Sequence, residues 1–206
     1  PWPIPDVPEP TSAEIDFLLD TVNAGLGTAL GRGAVRGSYA GLRPLIAAGE
    51  GRTADVSRDH AVIESDSGMF SVVGGKLTEY RHMAEDVLDR ALAARGIRTG
   101  TCRTFNLPLV GAPANPVSTL RASSDLPGSL VARYGAEAPS VIAAARCDRP
   151  TDKVAEGIDV TRAEFEFAVT HEGALNVDDI LDRRTRIGLV AADRERCLAA
   201  AKEFFA

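Results

Sequence analysis

The stretch "VVGGKLTEYR", from Val72 to Arg81, is where a strand pattern gives way to a helical one. Two β-branched residues lead into Gly74 and Gly75, and residues with helical spacing follow Lys76. Glycines let a flat group approach the main chain closely, and a lysine at a helix start favours anionic ligand atoms. Two interpretations stay open: a turn that faces an anion and a planar cofactor, or a glycine bulge before an exposed lysine. A three-residue motif is too short to decide between them.

The neighbouring residues predict a β-hairpin before this turn and a long helix after it. The segments "AVIES" and "MFSVVGG" are separated by a turn at residues 66–68, which is typical of a hairpin. The segment "LTEYRHMAEDVLDRALAARG" has helical spacing and stops at Gly96. Its predicted apolar face comprises Met83, Val87, Leu88 and Leu92.

The first hundred residues contain two further predicted segments. Thr11 and Glu14 form the T-x-x-E pattern of a capping box before the helical segment "IDFLLDTVNAGL". Residues 34–45 alternate loosely and are predicted to be extended. Together with the hairpin and its helix, these segments predict a mixed α+β region over residues 1–100.

The remainder of the chain, residues 101–206, has a helical pattern. A loop rich in Pro, Gly and Thr comes first, and Thr161 and Glu164 then repeat the capping-box pattern before "AEFEFAVTHEGAL". Phe165, Phe167 and Phe204 are predicted to be core residues, or a patch that covers an upstream region. The fold class expected is therefore an α+β part followed by an all-α C-terminal domain.

Composition excludes several function classes. A net charge of −6 and a pI near 5.1 argue against a nucleic-acid partner, which needs a basic surface. The sequence has no apolar run of the roughly 20 residues that span a bilayer. The start "PWPIPDVPEP" has neither an initiator Met nor the pattern of a signal peptide, so we expect a piece of a longer protein. The odd number and wide spacing of Cys102, Cys147 and Cys197 indicate reduced thiols in a cytoplasmic protein.

Some residues that attract attention have simpler interpretations. No metal site is expected, because "HEGAL" has Leu175 where the second histidine of a zinc motif would stand. The "RRTR" segment is expected to pair locally with Asp178, Asp179 and Asp182 rather than bind phosphate. His60 either lines a site or is an ordinary polar residue at a strand edge, and His82 is expected to pack or to face water.

Three cationic residues are candidates for anion binding. Arg43 lies in "AGLRPL", Arg58 in "SRDH" and Lys76 in "GGKLT". Arginine suits bidentate recognition of phosphate or carboxylate, whereas lysine supplies a compact charge.

The order of the motifs adds a specific resemblance. "SYAGLRPL", "SRDHAVIESDSGMFSVVGGKLTEYRHMAEDVLD", "LPLVGA", "RYG" and "DDILDRRTR" follow one another along nearly the whole chain. This succession resembles the C-terminal part of the FAD-dependent glycerol-3-phosphate dehydrogenases. The family opens with a GxGxxG region that binds FAD non-covalently, and that motif is not in this sequence. The resemblance therefore implies the end of the FAD and substrate region followed by the C-terminal helical domain.

The resemblance implies a role for each matching residue. Arg43 would lie beside the flavin and contact substrate, Arg58 would reach the substrate phosphate, and Lys76 would contact both flavin and substrate. Arg43 and Lys76 are the expected catalytic residues. The turn packed against the flavin ring would comprise Gly74, Gly75, Lys76, Leu77 and Thr78. Glu79 departs from the threonine common in the family, and we expect the helix dipole to tolerate it.

The implied reaction oxidises sn-glycerol 3-phosphate to dihydroxyacetone phosphate by hydride transfer to FAD, with electrons passed to a quinone. Two alternatives stay open: a glycerophosphate oxidase that uses oxygen, and a non-catalytic helical module if the fragment stands alone. The implied partners are glycerol 3-phosphate, quinone and the upstream FAD-binding region, and a homodimer is left open. The implied location is cytoplasmic, or peripheral on the inner face of the cell membrane. Without its upstream region, the fragment is expected to bind no FAD and to be inactive.

Overall fold

A computed structural model describes residues 5–42, 59–112 and 125–205. The chain divides into two compact units, one comprising residues 1–41 and 109–206 and the other comprising residues 42–108. The functional domain boundary between residues 100 and 101 stays a prediction.

The unit of residues 42–108 contains the hairpin. Strands β1 (His60–Glu64) and β2 (Phe70–Gly74) pair antiparallel, with His60 opposite Gly74 and Glu64 opposite Phe70. The connecting turn closes with the Gly68 amide donating to the Ser65 carbonyl at 2.8 Å, and Gly68 has a φ of 80° that favours glycine. The predicted hairpin is confirmed.

The predicted helix after the glycine pair is also confirmed. A single 3₁₀ turn, Leu77–Glu79, leads into helix α2 (Tyr80–Ala94), and Gly96 follows with a φ of 66°. Met83, Val87 and Leu92 are half-buried, whereas Leu88 is 57% exposed. Placing Leu88 on the packed face was wrong, because its side chain remains mostly exposed to solvent. The half-buried apolar residues of α2 from the predicted set are Met83, Val87 and Leu92.

Helix α1 (Ser12–Leu26) begins with the capping box that the sequence predicted. The Glu14 amide donates to Thr11 Oγ1 at 3.3 Å, and Glu14 Oε2 accepts from the Thr11 amide at 2.7 Å. Residues 35–42 form no strand, so the extended segment predicted for residues 34–45 has no sheet partner over its described part. Residues 43–45 lie outside the described residues.

The helical region after residue 125 has a dense core. Its helices are α3 (Gly128–Tyr134), α4 (Ala138–Ala144), α5 (Arg162–Thr170) and α6 (Ala191–Lys202), with a π-helical turn at Asp179–Arg184. The described part of the region is helix-rich, apart from a bridge between Lys153 and Thr161. Each of these helices contributes buried side chains to one or both of two core clusters, from which water is excluded.

The aromatic trio belongs to this core, as predicted. Phe165 is fully buried and meets the Phe204 ring edge-on at 6.1 Å between centroids. Phe167 is buried in a neighbouring cluster with Leu130 and Val141. All three cysteines are free thiols, and Cys197 is buried beside Phe165 in the same cluster.

A buried carboxylate joins two of the helices. Glu164, which is 1% exposed, accepts from the Thr161 amide at 2.7 Å and from the Thr161 hydroxyl at 2.9 Å. Arg133 donates to both of its oxygens, at 2.6 and 3.0 Å, and also to the Asp159 carbonyl at 2.6 Å. A charged group is tolerated here because every oxygen has a partner.

We expect Glu164→Ala to lower the free energy of unfolding by about 2–3 kcal/mol, since it removes a helix cap and leaves Arg133 without its carboxylate. The matched control is Glu14→Ala, which removes the same capping chemistry at the exposed start of α1 and should cost about 0.5–1 kcal/mol. Urea denaturation of both variants measures the difference. If both variants lose the same free energy of unfolding, the burial of Glu164 adds nothing to the stability of its cap.

The acidic and basic residues around the π-helical turn pair only partly as predicted. Arg183 Nη1 lies 2.7 Å from Asp179 Oδ1, which confirms local pairing at this position. Asp178 and Asp182 instead contact Arg194 of α6, and Arg184 donates to the Glu172 carbonyl. Sequence spacing missed Arg194 because packing brings α6 against this turn from further along the chain.

None of the helices in residues 5–42, 59–112 and 125–205 combines the length and the hydropathy that a transmembrane span requires.

Candidate functional site

The turn between β2 and α2 has an unusual backbone. Gly74 and Gly75 have φ values of 76° and 75°, a left-handed conformation that side chains disfavour. The Gly75 amide donates to the Asp59 carbonyl at 3.3 Å, which extends the hairpin contact by one residue. A Cβ atom at Gly75 would lie 2.6 Å from Met83 Sδ. The Met83 thioether is at the end of a flexible side chain and can move, so the positive φ is the main reason that glycine is favoured at position 75.

We expect Gly75→Ala to destabilise this turn by about 1–2 kcal/mol, through the positive φ that a side chain disfavours. Faster amide hydrogen exchange in β1 and α2 measures the effect. Gly100→Ala is the control in the same unit, because nothing lies within 4 Å of a Cβ there and its φ is ordinary. Unchanged exchange in Gly75→Ala would contradict the strain expected of a side chain at this positive φ.

Lys76 is held by one carboxylate at the start of the helical segment. Its Nζ lies 2.8 Å from Glu79 Oε1, and its amide donates to Glu79 Oε2 at 3.2 Å. The pKa of Glu79 is lowered, chiefly by the hydrogen bond from the Lys76 side chain. The Lys76 side chain is 47% exposed. An ion pair this exposed is weak, so an anionic ligand can replace the carboxylate as the partner of Lys76.

The residues beside Lys76 fit a flat ligand with a negative charge. Leu77 is 90% exposed and Thr78 is exposed, so an apolar surface and a hydroxyl adjoin the ammonium group. Exposed apolar area next to a cation suits a ring with a charged edge. The turn thus exposes one cation, one apolar side chain and one hydroxyl in three consecutive residues.

A second layer of polar residues lies behind the turn. His60 Nε2 is 2.9 Å from Asp86 Oδ2, and Arg90 Nε is 2.9 Å from Asp86 Oδ1. The His82 ring meets the His60 ring edge-on at 5.4 Å between centroids. The pKa of Asp86 is lowered, first by the hydrogen bond from His60. Sequence reasoning missed Asp86, because no local spacing connects residues 60 and 86.

Two of the three predicted cationic residues, Arg43 and Arg58, lie outside the described residues. The convergence of Arg43, Arg58 and Lys76 on one ligand therefore stays a prediction.

A family model for the C-terminal domain of alpha-glycerophosphate oxidase matches residues 102–205. This range covers the helical region and the loop before it. The turn of Gly74, Gly75 and Lys76 lies upstream of this match. The longer alignments to individual relatives include it.

Three relatives illustrate the range of similarity. "Glycerol-3-phosphate dehydrogenase 1" of Mycobacterium tuberculosis is 71% identical over 99% of this chain, which spans 40% of that protein. "Glycerol-3-phosphate dehydrogenase" of Mycobacterium leprae is 38% identical over 88% of the chain and 33% of its own length. A "Probable glycerol-3-phosphate dehydrogenase, mitochondrial" of Dictyostelium discoideum is 30% identical over 94% of the chain and 33% of its own length. The chain belongs to the family defined by the C-terminal domain of alpha-glycerophosphate oxidase.

Proposed function

We propose that this chain is part of a flavoenzyme that oxidises sn-glycerol 3-phosphate to dihydroxyacetone phosphate. The observation that carries the proposal is 71% identity over 99% of the chain to a protein named glycerol-3-phosphate dehydrogenase. The exposed Lys76 beside a left-handed glycine turn supports it, because the reaction needs a cation near an anionic substrate.

In this proposal Lys76 exchanges Glu79 for the anionic ligand. The ammonium group then orients the ligand and stabilises negative charge that develops beside the turn. Arg43 and Arg58 add bidentate contacts to the substrate, with Arg58 on the phosphate. Burial of Leu77 under the ligand would exclude water from the Lys76 contact and strengthen it.

The cofactor proposed is FAD, held against Gly74, Gly75, Lys76, Leu77 and Thr78. Bound there, FAD would supply the acceptor for the hydride that leaves carbon 2 of the substrate. The upstream region that binds the rest of FAD would be a separate part of the intact protein.

The electron acceptor proposed is a quinone, which fits an enzyme placed peripherally on the inner face of the cell membrane. The alternative is transfer to oxygen, as the oxidase in the family's name suggests. A peroxide assay on the intact enzyme separates the two. Hydrogen peroxide formed in proportion to substrate consumed would overturn the quinone proposal.

A second candidate concerns the chain by itself. The family match covers residues 102–205, and the core of the described residues lies in the same range, so the helical part has what a stable module needs without a cofactor. In this view the isolated chain folds as a non-catalytic helical module and binds no flavin.

Co-expression with the N-terminal region of the mycobacterial relative tests both candidates. We expect a yellow complex that reduces an artificial dye when glycerol 3-phosphate is added. The chain expressed alone is the control, and it should be colourless and inactive. A co-expression product that is folded but colourless and inactive would overturn the enzyme proposal. The non-catalytic helical module would then be the candidate that remains.

A further inference from the structure

We propose that an apolar groove beside α1 is the surface on which the upstream region of the intact protein docks, through an apolar ridge bordered by basic side chains. This inference rests on the proposed function, because that proposal supplies the upstream region.

The groove, called the α1 groove below, is formed by α1 and the segment that returns along it. It has a volume of about 370 Å³ and is lined chiefly by Ile15, Leu18, Leu19, Val22, Leu30 and Tyr39. The four lining residues of α1 recur at helical spacing and share one face, yet none of the 15 residues of α1 is buried. Because Leu18 is 60% and Tyr39 76% exposed, the groove suits a protein surface better than a small molecule, which a pocket buries almost completely.

Polar contacts hold the return segment against α1. Asn23 Nδ2 donates to the Leu30 carbonyl at 2.9 Å, and Asn23 Oδ1 accepts from the Leu30 amide at 2.7 Å. Arg32 donates to the two carboxylate oxygens of Asp16, at 2.8 and 2.7 Å, and to the Ser12 carbonyl at 2.8 Å. The two walls of the groove are therefore fixed without a partner, which lowers the entropy that docking costs.

Acidic side chains border the α1 groove. Over residues 5–41, acidic side chains outnumber basic ones by five to two. Glu9 lies next to Tyr39 at one end of the groove. Glu14 and Asp16 project about 100° to either side of the first lining residue of α1. Since charges on two docked surfaces are complementary, the partner that fits carries basic side chains around its apolar ridge.

This acidic border argues against two other occupants of the groove. In a second copy of the chain the same carboxylates border the same groove, so joining two copies through it brings like charges together. Helices that lie on anionic lipid use Lys and Arg on their polar face, and α1 contains neither residue. The upstream region is the occupant that remains: the chain spans 40% of the mycobacterial relative, so most of the proposed enzyme lies outside it.

Cysteine labelling of the intact enzyme tests the docking surface. Leu18→Cys places a thiol in the groove, and Phe17→Cys is the matched control, since Phe17 is 68% exposed on the same helix and does not line the groove. We expect a maleimide to label Leu18→Cys at least about tenfold more slowly than Phe17→Cys, because docking buries Leu18. Wild-type labelling gives the background from the native Cys102, Cys147 and Cys197.

Three outcomes would overturn the inference. The first is equal labelling rates for the two introduced thiols in the intact enzyme. The second is protection of Leu18→Cys that disappears on dilution of the enzyme, which would assign the groove to a second copy. The third is protection that appears only with vesicles of phosphatidylglycerol, which would assign the groove to a lipid surface.

Glu9→Lys tests the charge proposed for the partner. When this variant is co-expressed with the N-terminal region of the mycobacterial relative, recovery of the complex at low salt should fall about three- to tenfold, and high salt should reduce the difference. Glu195→Lys is the control, because Glu195 is exposed on α6 and far from the groove in sequence. Equal recovery of the Glu9→Lys and wild-type complexes would contradict a basic border on the partner.

The labelling ratio does not depend on catalysis, so it separates this inference from the proposed function. An enzyme that protects Leu18→Cys but does not oxidise glycerol 3-phosphate would overturn the proposed function and leave the docking surface. An active enzyme in which both thiols react at the same rate would leave the proposed function and overturn the docking surface.

Discussion

Replacing Lys76 by alanine is expected to raise KM for glycerol 3-phosphate or to lower kcat by at least about tenfold in the intact enzyme. The Lys76 ammonium group is half exposed, and Glu79 is its one ion-pair partner among the described side chains. An anionic ligand can therefore reach it and replace that carboxylate. Steady-state kinetics with an artificial electron acceptor measures both constants. A rise in KM alone would assign Lys76 to substrate binding, whereas a fall in kcat would place it at the reacting atoms.

Two controls make this result interpretable. Lys153→Ala removes another exposed lysine from an ion pair, with Asp159, in the helical region and should leave the kinetics unchanged. Lys76→Arg retains the charge but not its compact shape, so we expect partial activity. Wild-type kinetics in Lys76→Ala would count against the proposed site.

Replacing Phe165 by alanine is expected to lower the free energy of unfolding by about 3–5 kcal/mol. Phe165 is fully buried, and its ring packs against Phe204 and the cluster that includes Cys197. Truncation to alanine removes apolar burial and leaves a cavity that rigid neighbouring helices fill only partly. Chemical denaturation of the 206-residue chain, followed by far-ultraviolet circular dichroism, measures the change.

Leu175→Ala is the control in the same helical region, because Leu175 is 85% exposed. Its unfolding free energy should stay within about 0.5 kcal/mol of the wild type. A loss of under about 1 kcal/mol in Phe165→Ala would mean that the aromatic cluster collapses around the vacancy, and the cavity argument would then be wrong.

Several local features were predictable because neighbouring residues in the sequence determine them. The capping boxes at Thr11 and Thr161 need a carboxylate three residues later, and both occur as predicted. The hairpin follows from two strand patterns around a short turn that contains Gly68. These interactions form within a few residues, so periodicity and turn chemistry specify them.

The contacts of the site were predictable only in part. Lys76 was identified as a candidate, but its pairing with Glu79 was not, although the two residues are one helical turn apart. Glu79 was expected only to be tolerated by the helix dipole. The K-x-x-E spacing was the signal that could have revealed the ion pair.

The sequence by itself determined the hairpin, the helix that follows it and the two capping boxes. Tertiary structure decided the partners of His60, of Glu164 and of Arg194, which lie on elements far apart in the chain. The reason is physical: hydrogen bonds within a turn depend on neighbouring residues, whereas a contact between two elements depends on how their apolar faces pack. Packing brings Asp86 to His60 across 26 residues, and no periodicity in the sequence encodes that approach.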